Sequence, residues 1–556
     1  MRRLVAVAGV AVLAAGLAVA ASGGVAGGSD GRPRREVAAA APRNPYLADS
    51  GVPIGHIDSA QSTSTPIAGP TGPSGALGPD DLTYQHLGPG HFGIAISPEY
   101  PDGGRVIWSN GGDRISKLDA GSLDVLAELA LPGRTLQTPE QADAELEVLD
   151  REHGELLADA AVTLASTYLQ GLAGVYYALD ADNILYVGGA TSVIAYGDDG
   201  RDRSSPVTVV REWVKPPDVG GNFVGVNMTF DGRLVLVTDE GWIVAVTRDF
   251  TAYDAIQIPG AEDAAAHNAE VRAAGARPGA ADFVRNSIAV DRDGGIYVAS
   301  YDHMHKVVWD GDALSNDPRG GAWSSPYLDG TGNGTGATPA LMGFGSDDRL
   351  VVITDGEPLM HVVAFWRDGV PKGWKRLPGV PSRRIAGQLP ADMGDPGLRA
   401  IQTEQSVVVG GNGALVVNND PASIPPGFPA VGVRVLAGYA ATDPAFTPHG
   451  LQKFEWDRRR RELREAWANR RLTSANAVPV VSLGSDVVYT VGVRDGAWAV
   501  EGVDWGTGRT QFHWVTGSAR YNTGFSGMNL DQDGRIVHTT PFGIVRYDPG
   551  PGAARR

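Results

Sequence analysis

The stretch Val226-Asn227-Met228-Thr229-Phe230-Asp231-Gly232-Arg233-Leu234-Val235-Leu236-Val237 joins two apolar runs through an Asp-Gly turn. Residues 288–298, Ile288-Ala289-Val290-Asp291-Arg292-Asp293-Gly294-Gly295-Ile296-Tyr297-Val298, repeat it, as do residues 528–537, Met528-Asn529-Leu530-Asp531-Gln532-Asp533-Gly534-Arg535-Ile536-Val537. Looser copies lie at 177–187, 342–353, 407–417 and 481–490. Alternating apolar residues on both sides of a tight polar turn are the mark of a β-hairpin. Asp-x-Asp-Gly at 291–294 and 531–534 has half the ligands of a calcium loop and lacks its terminal Glu, so the turn reading is preferred there.

The turns that anchor these hairpins fall near Asp102, Asp180, Asp231, Asp293, Asp347, Gly411, Ser485 and Asp533. From Asp180 onward they are 48 to 74 residues apart. A propeller blade of four strands needs about 40–50 residues, so several units carry insertions. The prediction is an all-β chain: a single β-propeller of seven or eight four-stranded blades, eight preferred. Helical insertions are expected at 135–169, where charges and apolar residues follow helical spacing, and at the Ala-rich 261–281, with Asp282 as a cap for the segment after it. The short final copy needs a strand from the N-terminal region to close the ring. The run Arg458–Arg461 lies between two strand patterns, Leu451–Trp456 and Leu463–Trp467, and reads as a turn.

Ahead of the repeats the chain divides by composition. Met1-Arg2-Arg3 and the apolar run 4–20 end in Ala18-Val19-Ala20, which gives a signal peptide over 1–21. If uncleaved, the run is long enough to serve as a membrane anchor. Residues 22–42 read as a disordered spacer, 43–90 as an extended N-terminal arm packed on the propeller, and 91–550 as the propeller itself. The expected location is secreted or cell-envelope, and the expected state is monomeric.

With 42% hydrophobic residues the chain can fill a large core, and with no Cys it must hold itself together by packing and ring closure alone. The net charge is −17, although residues 1–42 are basic. An acidic body argues against nucleic acid as partner and against anionic membranes. A small molecule or a protein ligand is the expected partner.

Propellers bind ligands where the innermost strands begin. Just ahead of the apolar pairs stand Asn222, Asn286, Thr338, Gln402, Glu404, Gln405, Asn476 and Asn522. They form either a polar funnel for a ligand or a set of hydrogen bonds between blades. The arm segment from Gly55 to Thr65 holds His56 and Asp58, a candidate general base and its orienting carboxylate, which would drape over the mouth. His303 and His305 share a strand face and are a candidate metal pair. No nucleophile elbow, phosphate loop or zinc-protease motif appears.

The φ-x-φ-Asp-x-Asp-Gly unit resembles the repeats of the quinoprotein-alcohol-dehydrogenase-like and YVTN-type propeller superfamily, over roughly residues 90–550. That resemblance implies a propeller. In its dehydrogenases it implies pyrroloquinoline quinone and Ca²⁺, commonly beside a vicinal disulfide that a Cys-free chain cannot form. The regular tryptophan docking motif of that group is also missing. No cofactor is assigned from the sequence. The chain supports two functional readings: an exported propeller that binds a ligand at the channel mouth, and an exported propeller enzyme (oxidoreductase, lyase or hydrolase) with its site there, under the arm. A third, a structural protein held at the cell surface, would require the N-terminal run to stay attached.

Overall fold

The computed structural model describes residues 40–168, 175–274, 282–423 and 438–549. The expected signal peptide and nearly all of the 22–42 spacer lie outside the described residues. No helix among the described residues is long and apolar enough to cross a membrane.

The strands form eight sheets, one for each turn anchored in the sequence. We number them as blades 1 to 8 along the chain. In blade 3 the four strands Phe223–Met228, Arg233–Thr238, Trp242–Thr247 and Tyr253–Gln257 pair in order, each antiparallel to the next. The other blades repeat this meander, with their innermost strands at Ile94–Ile96, Tyr177–Leu179, Ala289–Val290, Ala340–Met342, Val408–Gly410, Val480–Ser482 and Asn529–Leu530.

The Asp-Gly turns owe their sequence to geometry. Asp291 Oδ1 accepts from the N–H groups of Asp293 and Gly295, both at 2.9 Å. Asp531 does the same for Asp533 and Arg535, and Asp180 for Asp182 and Ile184. Gly294 and Gly534 take φ +83 and +78, where a side chain is strained. The carboxylates are therefore used in shaping the turn.

Blades pack face to face, so both faces of most strands are covered. Leu234 to Val237 and Val487 to Gly492 are buried without interruption, which is why these runs read as continuous apolar stretches. Between blades 3 and 4, Val235, Val237, Ile243 and Ala245 meet Ile288, Ile296 and Val298. Burying each such side chain contributes about 1.5–3 kcal/mol. The Arg458–Arg461 run is a turn between strands, and Arg458 and Arg461 reach Asp347 and Asp348 at 2.8 and 3.3 Å.

Ring closure comes from the arm. Leu82–His86 pairs antiparallel with Gly543–Tyr547 and supplies the outermost strand of blade 8. The strand-like stretch after Phe92 is instead blade 1. Arm residues Gly75–Ala76 also extend blade 7 on its outer edge.

Three helices are described: α1 (Pro139–Arg151), α2 (Gly154–Tyr168) and α3 (Ala264–Ala273). Thr138 and Gln141 form a capping box at the start of α1, with Pro139 in its first position. Asp282, expected as a helix cap, precedes no helix and pairs with Arg272 at 3.3 Å.

Connections at the two mouths differ sharply in length. Turns from the inner strand to the second strand have only two to nine residues. The helical insertions leave from the other face: α1–α2 enters blade 2 and α3 enters blade 4, and residues 418–450 link the middle strands of blade 6 there, whereas the 367–384 connection of blade 5 lies on the short-turn side. Asp150 accepts from Ser518 Oγ and Ala519 N, and Tyr168 packs edge-on to Phe542 at 5.1 Å, so α1–α2 roofs the last blade on that face.

Candidate ligand site at the channel mouth

The arm does not drape over the mouth. It lines the channel, touching successive blades in order. Ile96 N of blade 1 donates to Val52 O at 2.7 Å and Leu179 N of blade 2 to Pro53 O at 2.8 Å. Asn227 Nδ2 and Val290 N of blades 3 and 4 donate to Ser59 O, and Leu341 N of blade 5 to Ala60 O. Val409 N, Val481 N and Leu483 N of blades 6 and 7 donate to Ser62 O, Thr63 O and Thr65 O. Inner-strand N–H groups that no neighbouring strand could reach thus find acceptors. Residues 52–65 form a collar inside the ring.

The collar bends sharply. His56, Ile57, Gln61 and Thr63 all have φ between +53 and +78, uncommon for residues with side chains. Gln61 Nε2 holds the bend by donating to Gly55 O and Asp58 O. Asp58 accepts from Ser62 N at 3.0 Å and Ser62 Oγ at 2.6 Å. The carbonyls of His56 and Asp58 close turns within the collar, which leaves those of Ser59, Ala60, Ser62 and Thr63 to the blades.

His56 and Asp58 do not bond to each other. The His56 ring meets Thr63 Oγ1 at 3.4 Å through Nδ1 and Ser406 Oγ at 3.3 Å through Nε2. Both side chains are enclosed by the ring yet keep part of their surface open along the axis. Burial lowers the His56 imidazole to about 4, so it is neutral at neutral pH. Burial raises the Asp58 carboxyl to about 6, against the opposing pull of the Ser62 hydrogen bonds.

Around the apex of the collar, side chains from four blades converge. Ser406 Oγ, besides meeting His56, accepts from Thr338 N at 3.1 Å. Tyr176, just ahead of the inner strand of blade 2, lies near Thr338 and Ser287, and the Thr338 hydroxyl is buried without a hydrogen-bond partner. Burial pushes its phenol up, and those two neighbours and the charge of Arg285 pull the other way. Arg285 of blade 4 is 8% exposed and forms an ion pair with Glu404 of blade 6, and it donates to Asn333 O at 3.1 Å. Burial works against the guanidinium charge; Glu404 outweighs it and holds the Arg285 pKa above its ordinary value.

The residues singled out in the sequence divide into three groups. Asn222 donates to Asp239 at 3.1 Å, Asn286 to Thr335 O at 3.0 Å, and Gln402 to Glu357 O. These three are inter-strand fasteners. Thr338 and Glu404 belong to the convergent cluster. Gln405 Nε2, Asn522 Nδ2 and both amide atoms of Asn476 are fully buried without a protein partner. Tyr176, Arg285 and Ser406 were not legible as site residues. The available signal was Arg285 itself, a charged residue where the other repeats place amides or hydroxyls.

His303 and His305 lie on one strand with ring centroids 5.9 Å apart. His303 pairs with Asp302 at 2.9 Å and His305 Nε2 with Ser300 Oγ at 3.0 Å. No group of three His, Asp or Glu side chains among the described residues is gathered to hold a metal.

A relative from Archaeoglobus fulgidus, an uncharacterised protein, is 31% identical over 531 residues, covering 92% of this chain and 89% of that one. No protein-family profile matches the chain. Among solved structures, the quinohemoprotein alcohol dehydrogenase of Comamonas testosteroni is similar with a TM-score of 0.50 at 11% identity, over 91% of this chain and 78% of that one. A second quinohemoprotein alcohol dehydrogenase, from Pseudomonas putida HK5, gives 0.50 and 11% over 91% and 80%. The quinoprotein-like resemblance therefore stands at the level of fold. The quinone and Ca²⁺ that the superfamily resemblance implies do not fit the residues present here. The collar takes up the axis, no three His, Asp or Glu side chains among the described residues are gathered for a metal, and a vicinal disulfide cannot form.

Proposed function

This chain belongs to the same family as the uncharacterised Archaeoglobus fulgidus protein, and we propose that it is an exported propeller that binds a small polar molecule at the insertion-bearing mouth of its channel. The observation that carries the reading is the convergence of Tyr176, Arg285, Thr338, Glu404 and Ser406 on the collar apex at His56. Five polar groups from four blades, meeting on the face that holds the helical insertions, are more than ring packing requires. Binding is favoured over catalysis because the expected base and its orienting carboxylate, His56 and Asp58, turn to different partners. Export is supported by the leader-like residues 1–21.

The test is retention. Protein incubated with a whole small-molecule extract of the producing cells is passed through gel filtration, denatured, and the released compounds are identified by mass spectrometry. A retained compound that is lost on Tyr176→Phe with Thr338→Val is the expected result. No retained compound would remove the reading.

A further inference from the structure

The charges at the mouth narrow the class of ligand. The guanidinium of Arg285 is the deeper partner of its pair, 8% exposed, and Glu404 is the more open one, at 30%. The mouth therefore shows a carboxylate to an incoming molecule and keeps its cation behind it. Among the described residues, the cationic groups on neighbouring elements are engaged. Arg272 of α3 is taken up by Asp239 and Asp282. His361 of blade 5 sits on Asp355 at 2.8 Å. Asp329 is held by the N–H of Gly334, and Asp420 by the N–H of Gln402. His56 is neutral, and Asp58 lies on the collar below. An anion would enter a field set by Glu404, Asp58 and a chain of net charge −17, whereas a cation would be drawn in.

The uncharged groups say what the rest of the molecule offers. Gln405, Asn476 and Asn522 precede the inner strands of blades 6, 7 and 8. They are 2%, 0% and 0% exposed and hold three N–H₂ groups without a protein partner. A buried donor left unpaired costs about 1–3 kcal/mol, so these amides suit hydroxyl or carbonyl oxygens. Tyr176, half-buried, lies close enough to Arg285 and Glu404 to feel both charges, and an aromatic ring there suits an ammonium.

Resting on the binding reading above, we propose that the mouth takes a small organic cation, its ammonium against Glu404 and Tyr176 and its hydroxyl or carbonyl oxygens toward the amides of blades 6–8. The chemistry excludes phosphorylated and polycarboxylate ligands from the same place.

The test separates an extract of the producing cells by ion exchange into cationic, neutral and anionic small-molecule fractions. Each is offered to the full-length mature protein, followed by gel filtration and mass spectrometry. Retention from the cationic fraction is expected. It should fall at least tenfold in the double variant Arg285→Gln with Glu404→Gln, which removes both charges of the pair and leaves neither buried alone. Unchanged melting of that variant shows that the ring is intact. Should the double variant unfold, the same cation offered to wild type in rising NaCl keeps the question open to an answer, since an ammonium–carboxylate contact weakens with salt. Retention from the neutral or anionic fraction overturns the cation assignment and leaves binding at the mouth standing. Retention of a cation that neither the variant nor salt reduces overturns the Glu404 contact. Nothing retained from any fraction removes the binding reading along with this one.

Discussion

Asp58→Asn should make the protein more stable at neutral pH. The carboxyl sits on the collar inside the ring, with Ser62 as its hydrogen-bond partner and no cation beside it. Burial raises it from 3.8 to about 6. A carboxyl whose folded pKa lies above its unfolded value binds its proton more tightly in the folded state. Its ionisation therefore subtracts stability as pH rises, beginning near 4 and complete above about 6. Two units correspond to about 3 kcal/mol, and partial opening toward the axis reduces this to about 1–3 kcal/mol. Asn keeps the oxygen that accepts from Ser62 N, and Ser62 Oγ can turn to accept from the new amide. Guanidinium unfolding at pH 8 should show the variant more stable by about 1–3 kcal/mol, and at pH 4 the two proteins should coincide. Calorimetry would show only about 1–3 °C, because the entropy of unfolding scales with chain length and roughly 500 residues unfold. A variant that is less stable at both pH values, or a difference that does not change with pH, would falsify the account of Asp58 as a carboxyl held at a cost to the fold.

Three further outcomes are expected. Lys117→Met should destabilise by about 3–5 kcal/mol in denaturant unfolding, because Lys117 and Asp198 are both buried at 2.7 Å and the change strands Asp198 with only uncharged partners, Tyr100, Asn183 and the N–H of Gly200; a loss under 1 kcal/mol would mean that water reaches the pair. Trp366→Ala should cost about 3–5 kcal/mol, since its ring meets Trp374 and Trp456 edge-on at 5.1 and 5.5 Å; stability within 1 kcal/mol of wild type would contradict that packing. A chain beginning at Pro66 keeps the closing strand Leu82–His86 but loses the collar. Hydrogen exchange should then speed at Val290, Leu341, Val409 and Val481, whose N–H groups bond to collar carbonyls, and unchanged protection there would show that the collar does not cover them.

The blades were legible because their turns are local. Asp291, Asp293 and Gly294 act within five residues of one another, so the chemistry that shapes the turn is written in one short stretch. All eight anchors fall in or beside the connection between the first two strands of a blade. The helical insertions were legible for the same reason, through the spacing of charges and apolar residues over 145–152 and the Ala-rich run that forms α3. The collar was not. Its polar residues looked like a loop because their purpose is set by partners hundreds of positions away: Ser62 serves Val409, and Thr63 serves Val481. Nor does the sequence hint that His56, Ile57, Gln61 and Thr63 adopt left-handed backbone, since none is Gly or Asn. Likewise the ion pair of Arg285 and Glu404 joins residues 119 apart, and nothing in either neighbourhood names the other.

The collar also explains why this ring can carry a polar site without disulfides. An open propeller channel leaves inner-strand N–H groups to water, and its blades are held only by their faces and by one closing strand. Here a single segment bonds to seven blades in succession before the same arm supplies the last strand of the eighth. Blade positions are thereby fixed relative to one another at the axis, where Tyr176, Arg285, Thr338, Glu404 and Ser406 must meet from four different blades. A site assembled from separate blades is only as ordered as the blades' mutual placement. The strained backbone at 56–63 and the buried carboxyl at 58 both work against stability. Their occurrence in the one segment that both fixes the blades and faces the site is what a segment kept for function would show.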